Sequence, residues 1–426
     1  MTASALRATA AQTHPPCRLC GEPLRQVVLD LGMSPLCQTQ IKPDQLDQSE
    51  EFFPLRVRVC ERCYLVQLAE SVSPQRLFGD YPYFSSYVDA LVESARRYCE
   101  SVTGRFRLGK HSRVVEIASN DGYLLQHFVA RGIPALGIEP AANVAAAAIA
   151  RGVPTLSAFF GRRTASEVVA RHGRADLLLG NNVFAHVPDL NDFVAGMKLL
   201  LAPQGVITLE FPHLLTLLEG NQFDTIYHEH FSYFSFGSSE RALSAHGLAV
   251  FDVEEIGNHG GSLRVYARHA EDSGKPVSAA VRELRARESA AGLESVDRYR
   301  GFAEQVHATK FALLDALIEI KRAGKRIVGY GAAGKSVTLL NYCGIRTDFL
   351  DYVVDRNPAK QGTWLAGVRI PILAPETIAQ TRPDYVLILP WNLRDEVIRY
   401  TAGIREWGGR WIVPIPKLEI VDGAPR

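Results

Sequence analysis

Arg113-Val114-Val115-Glu116-Ile117-Ala118-Ser119-Asn120-Asp121-Gly122 changes character halfway along. Its first five residues read as a short strand covered on both faces. The next five are small and polar, and a helical apolar pattern, YLLQHFVARG, follows from Tyr123. Strand, small polar loop and helix make the first unit of a doubly wound sheet, with a ligand at the loop and the helix N-terminus. The GxGxxG of a dinucleotide site is missing from this loop.

Downstream, ALGIEP gives a second strand ending at Glu139, about twenty residues on, where a carboxylate suits ribose hydroxyls. The bland alternative is an exposed acid at a strand end. ADLLLGNNVFAHV gives a further strand ending in two amides, Asn181 and Asn182, and GVITLEFPHL another. GLAVFDVEEI and GSLRVYARH look like an antiparallel pair linked by Gly257 to Gly261. Parallel strands, an acid after the second and a final antiparallel hairpin describe the class I methyltransferase sheet. Its cofactor, S-adenosylmethionine, needs no pyrophosphate-binding glycines. The candidate cofactor residues here are Ala118, Ser119, Asn120, Gly122, Glu139, Asn181 and Asn182.

The chain restarts at Arg326-Ile327-Val328-Gly329-Tyr330-Gly331-Ala332-Ala333-Gly334-Lys335-Ser336. Here a GxGxxG-like turn does follow a strand, and Asp355 ends the next one at the distance of a ribose-binding acid. Taken alone, this is an NAD signature and implies an NAD-dependent oxidoreductase. Lys335 favours another ligand, because its ammonium can meet a phosphate at the helix N-terminus. DYVLILP then leads to Pro390-Trp391-Asn392 at a strand's carboxyl end, where open sheets bind ligands. An empty Rossmann-like crevice is the bland alternative. Between the two folds, residues 276–324 carry the spaced apolar and charged pattern of solvated helices, with no sustained heptad.

Upstream, Cys17-Arg18-Leu19-Cys20 and Cys60-Glu61-Arg62-Cys63 form two CxxC pairs. Four thiolates saturate a tetrahedral zinc ion, so the site is expected to be structural and to staple a small domain. Cys37 lies between the pairs and reads as a small buried residue.

Lys plus Arg number 47 against 46 for Asp plus Glu, so no global field favours nucleic acid or an anionic membrane. No apolar run reaches the roughly 20 residues that span a bilayer. The first sixteen residues lack a secretory apolar segment and read as a disordered leader before a cytoplasmic enzyme.

Ile226 to Ser235, IYHEHFSYFS, raises the question of metal, catalysis or crowded core. Histidines two apart point to different sides of a helix, and the HExxH that aligns two ligands is absent. On a strand His228 and His230 would share a face, but no third ligand is evident nearby. Packed aromatic core with satisfied histidines is the bland reading.

Taken together, the motifs resemble the nucleotide-sugar C-methyltransferases of deoxysugar pathways, especially the TDP-sugar C-3 methyltransferases. The matching residues are the cysteine pairs, Tyr81-Pro82-Tyr83-Phe84-Ser85-Ser86, Val115 to Gly122, Asn182 to Asp189, Tyr227 to Tyr233, Gly329 to Ala332 and Pro390 to Asn392. Ala118 departs from the pattern, since glycine is usual there, and is expected to fit if its φ is negative.

The resemblance implies an α/β chain of three domains. These are a zinc-binding domain over 17–75, an S-adenosylmethionine-dependent methyltransferase domain over 76–275 and a Rossmann-like domain over 325–426 that helps hold the sugar nucleotide. It implies methyl transfer to a ring carbon of a nucleotide-linked 4-keto-deoxysugar. His230 is then the base, Glu229 orients sugar or base, and Tyr227 donates to an oxygen. Tyr81 and Tyr83 cover the site or touch cofactor and sugar, with Ser86 beside the cofactor. Tyr330, Lys335 and Asn392 face the nucleotide sugar. His186 is expected to be structural, His228 has no role assigned, and a monomer is the expected state.

Overall fold

The computed structural model describes residues 14–69, 72–79, 84–87 and 89–422. At its centre is a seven-stranded sheet. Its order is Leu248–Ile256, Ser262–His269, Leu201–Pro212, Ala175–Asn181, Val114–Ile117, Ala135–Glu139, Thr155–Ser157. The last five in that order are mutually parallel, and the hairpin at the first edge is antiparallel. This is the arrangement expected from the sequence. Val114 to Ile117 are buried throughout, as a strand covered on both faces requires.

The C-terminal sheet runs Ile372–Leu373, Val353–Val354, Ile327–Tyr330, Tyr385–Ile388, Arg410–Val413, Glu419–Val421. All its pairs are parallel except the last. Helix Gly334–Cys343 follows its first strand and starts at the glycine turn.

The N-terminal sheet shows what the motifs did not. Gln26–Ser34, Phe53–Val59 and Val66–Leu68 are joined by a fourth, distant strand, Ser232–Tyr233. That strand is part of IYHEHFSYFS. Gln40–Ile41 also pairs with Trp364–Leu365 of the C-terminal domain. Beside it, Glu50 accepts from the Gly367 N–H and the Arg369 guanidinium at 2.6 and 2.7 Å. A single apolar cluster therefore holds Leu29, Leu55 and Val57 of the N-terminal sheet together with Ile327, Val353 and Leu387 of the C-terminal one.

The helices of 276–324 differ from the solvated reading. Helix Phe302–Arg322 buries Phe302, Val306, Leu313, Leu317 and Ile320 in that same cluster. Glu288 of helix Ala279–Ala290 is buried too. It accepts from the N–H groups of Phe236 and Gly237 at 2.6 and 2.9 Å and pairs with His213. A carboxylate at the start of helix Phe236–Ser244 answers its orphan N–H groups and its positive dipole end. Among the described residues, no helix is long and apolar enough to cross a membrane.

Candidate active site

The loop after Val114–Ile117 is folded back on itself by left-handed residues: Ala118 at φ 55°, Asn120 at 49° and Gly122 at 77°. Asparagine and glycine adopt this region readily, but alanine there is strained by about 1–2 kcal/mol. The expectation of a negative φ at Ala118 is thus corrected. The turn overrides the residue's preference because the Ala118 N–H is held at 2.7 Å by the Ile138 carbonyl.

Glu139 closes the same loop. Its carboxylate accepts from the N–H groups of Asn120 and Ala141, both at 2.9 Å. Burial pushes this carboxyl up, against the pull of those two donors. Asn120 in turn accepts from the Ser85 N–H at 2.8 Å, which seats the preceding segment on the loop. Tyr81 and Tyr83 lie outside the described residues.

Four buried oxygens around this loop have no partner among the described residues: Ser86 Oγ, Ser119 Oγ, Asp121 Oδ1 and Asn181 Oδ1. Unsatisfied buried polar atoms are costly, so such a cluster marks where a polar ligand completes the structure. They fit the ribose and amino-acid ends of S-adenosylmethionine. Beside them a cavity is lined by Tyr98, Tyr123, Asn181, Asn182, Glu210 and Arg264. Asn182, at φ 54°, meets His259 at 3.1 Å from the hairpin turn.

His230 is buried and ringed by aromatics. Its centroid lies 4.3 Å from Tyr227, 4.7 Å from His186 and 5.9 Å from Tyr233. Burial, then the neighbouring His186 and His259, hold its pKa well below the ordinary value, while a hydrogen bond to the Thr225 carbonyl opposes them. His186 is drawn down to about 4, mainly by burial, and bonds the Glu229 carbonyl. Burial pushes the Tyr227 phenol well up, so it keeps its proton.

Glu229 is buried and accepts from the Cys37 thiol at 3.4 Å. His228 points the other way. Its Nε2 meets the Pro54 carbonyl of the N-terminal sheet at 3.2 Å, and its ring packs edge-on against Phe53. A turn at His228 and Glu229, closed by the His230 N–H on the Tyr227 carbonyl at 3.0 Å, sends the two histidines to different partners.

From the C-terminal domain, Thr338 donates to the Ile226 carbonyl at 3.1 Å. Lys335 bonds Asn392 Oδ1 at 2.7 Å and lies 4.4 Å over the Trp391 ring. Burial draws the Lys335 pKa down, and the nearby Asp224 carboxylate opposes this. Tyr330 is buried at the end of its strand, with its pKa raised by burial.

Sequence reasoning missed Asp224 and Cys37 as parts of this junction. Asp224 stands three positions before Tyr227, and that proximity was the available signal. Cys37 had none, because its contact with Glu229 spans 192 positions.

In the N-terminal domain, the sulfurs of Cys17, Cys20, Cys60 and Cys63 all lie within 4.8 Å of one another. Cys17 to Cys63 and Cys20 to Cys60 are each 3.5 Å. Zinc–sulfur bonds of about 2.3 Å place tetrahedral sulfurs roughly 3.8 Å apart, so the four fit one zinc ion. Without a cation they cannot all ionise. The hydrogen bond from Cys63 draws Cys17 down to about 4, while burial pushes Cys20 up to about 11. A bound zinc ion would take the place of those shared protons.

Three family descriptions match the chain. A "Putative zinc binding domain" covers 17–78, a "Methyltransferase domain" covers 91–253 and a "C-methyltransferase C-terminal domain" covers 257–416. The C-methyltransferase NovU of Streptomyces niveus is 38% identical over 406 residues, 95% of this chain and 96% of that protein. Among solved structures, magnesium protoporphyrin IX methyltransferase of Synechocystis PCC 6803 aligns at 12% identity and a TM-score of 0.34. That alignment covers 45% of this chain and 91% of the other. An S-adenosylmethionine-dependent methyltransferase of Clostridium acetobutylicum aligns at 11% identity and a TM-score of 0.34, over 42% of this chain and 92% of its own.

The NAD-dependent oxidoreductase reading finds no support. The Asp355 carboxylate is taken by the N–H groups of Ala332 and Asn357 at 2.7 and 2.8 Å. Pro390 closes over Gly331, where an added Cβ would stand 2.6 Å from its ring. The glycines here serve a packed turn. The chain belongs to the C-methyltransferase family and is an S-adenosylmethionine-dependent C-methyltransferase with a zinc-binding N-terminal domain.

Proposed function

We propose that the acceptor is a nucleotide-linked 4-keto-deoxysugar, TDP-linked and methylated at C-3, and that His230 is the base. The carrying observation is the setting of His230: a buried imidazole whose ring lies 4.3 Å from Tyr227, 4.7 Å from His186 and 5.9 Å from Tyr233.

A carbon next to a ketone becomes nucleophilic only once deprotonated, and the enolate places charge on the carbonyl oxygen. His230 takes the C-3 proton. Tyr227, kept protonated by burial, donates to the developing oxyanion. Glu229 orients the sugar beside the base. Tyr81 and Tyr83 approach cofactor and sugar in the family that the sequence resembles, and keep those roles here. The residues proposed to hold S-adenosylmethionine are Ala118, Ser119, Asn120, Gly122, Glu139, Asn181, Asn182, Tyr83 and Ser86. When bound, it supplies an electrophilic methyl group. Lys335, Asn392 and Tyr330 bind the diphosphate side of the substrate, for which a partly desolvated ammonium is suited. Holding both reactants in one site makes the transfer effectively intramolecular.

The test incubates pure protein with labelled S-adenosylmethionine and a panel of TDP-4-keto-deoxysugars. Label at C-3 of a sugar is the expected result. Authentic substrates that acquire no label overturn the proposal.

A further inference from the structure

We infer that Arg18, set between the first two zinc-ligating cysteines, positions the catalytic base by gripping the backbone beside it. The inference rests on the reading of His230 as base. The Arg18 guanidinium donates to the Phe231 carbonyl at 3.1 Å and to the Leu68 carbonyl at 2.9 Å, and it lies 5.3 Å from the centre of the Phe231 ring. Phe231 directly follows His230 and is buried.

The same carbonyl also accepts from the Leu68 N–H at 3.0 Å, so both of its lone pairs are engaged. Gln67 closes the circuit. Its side chain donates to Cys17 Sγ at 3.1 Å and accepts from the Arg18 N–H at 2.9 Å, while its backbone pairs with Ser232. From the central domain, Asn191 holds the carbonyls of Arg18 and Leu19 at 3.2 and 3.1 Å.

Zinc fixes the sulfurs of Cys17 and Cys20, and so fixes where Arg18 starts. Arg18 then fixes the Phe231 carbonyl, and with it the backbone that aims His230. The zinc knuckle therefore does more than staple its own domain. A misplacement of about 1 Å at a reacting group costs about 100-fold in rate. The cofactor loop hangs from a different sheet.

The experiment compares wild type with Arg18→Gln and Arg18→Lys. Expected for Arg18→Gln are one zinc per chain, unchanged S-adenosylmethionine affinity, kcat lowered about tenfold to 100-fold and an unaltered KM for the sugar. Arg18→Lys recovers part of kcat, because an ammonium reaches one carbonyl but not two. An unchanged kcat overturns the inference, and so does loss of zinc in Arg18→Gln. A second readout needs no sugar: the ring ¹⁵N resonance of His230, assigned with His230→Asn. It is expected to shift in Arg18→Gln at full zinc occupancy, and an unmoved resonance overturns the inference. If wild type methylates no sugar, the proposed substrate fails while this resonance still decides the role of Arg18.

Discussion

The indole N–H of Trp391 donates to the Asp224 carboxylate at 2.8 Å. This bond joins the C-terminal domain to the turn that precedes IYHEHFSYFS. Asp224 is fully buried, and its other oxygen has no partner among the described residues. Lys335 lies over the face of the indole whose edge Asp224 holds. Trp391→Phe removes the donor and leaves the carboxylate without its hydrogen bond. A loss of roughly 1–3 kcal/mol is expected in urea unfolding. Adding Asp224→Asn recovers part of the loss, since a neutral amide is less costly to bury unpaired.

Asp224 also makes stability depend on pH. Burial raises its pKa from 3.8 to about 6, against the opposing effects of Lys335 and Trp391. The folded state thus holds this proton more tightly than the unfolded one. The contribution is fully present below pH 3.8 and is lost as pH rises to about 6. Two pKa units correspond to about 3 kcal/mol at most. Asp224→Asn is expected to remove this dependence, as read from denaturation midpoints between pH 4 and 7.

His230 carries the sharpest kinetic prediction. Its pKa lies well below the ordinary 6.5, so the neutral form persists on acidification. The acid limb of kcat/KM is expected to fall below pH 6.5. His230→Asn is expected to lower kcat by 10²–10⁴-fold and abolish deuterium exchange at the sugar carbon, with cofactor binding kept. Retained exchange would identify another base.

Metal removal reaches beyond the N-terminal domain. Cys60→Ser leaves three thiolates and weakens zinc binding. Because Ser232–Tyr233 completes the N-terminal sheet, disturbing that sheet disturbs the strand next to His230. A loss of zinc, measured by mass spectrometry, together with a fall in kcat of at least tenfold is expected, in keeping with the coupling of metal binding to folding.

Ala118→Gly tests the strained cofactor loop. Glycine removes a left-handed penalty of about 1–2 kcal/mol and adds about 0.4–1 kcal/mol of unfolded-state entropy cost. A net gain of roughly 0.5–1 kcal/mol is expected in chemical denaturation. An unchanged or lower stability would mean that the loop relaxes in solution.

The loop proposed to hold the cofactor was legible as a loop in the sequence because it is local. Val114 to Gly122 is one strand and one turn, and Glu139 sits at a fixed offset from it. The two CxxC pairs were legible for the same reason, since each places two thiols on one turn. The stretch proposed to be catalytic was legible only as residue types. That His230 faces Tyr227 and His186 while His228 faces Pro54 depends on which domain packs on each side.

The helices of 276–324 show the same limit. Their mixed pattern reads as a solvated surface, yet helix Phe302–Arg322 is part of the core joining the N- and C-terminal sheets. A hydrophobic pattern reports which face is apolar, and it does not report what covers that face.

By itself the sequence determined the fold class, the zinc ligands and the kind of chemistry. The first two follow from local periodicity and from residue chemistry at short spacing, and the third from the family that the motifs together resemble. Only the tertiary structure decided that IYHEHFSYFS is held from three sides. Ser232 pairs with Gln67, Thr338 grips Ile226 and Cys37 meets Glu229. Contacts separated by 100 to 200 positions form because distant segments bury a shared apolar surface, and no local pattern encodes which segments those are.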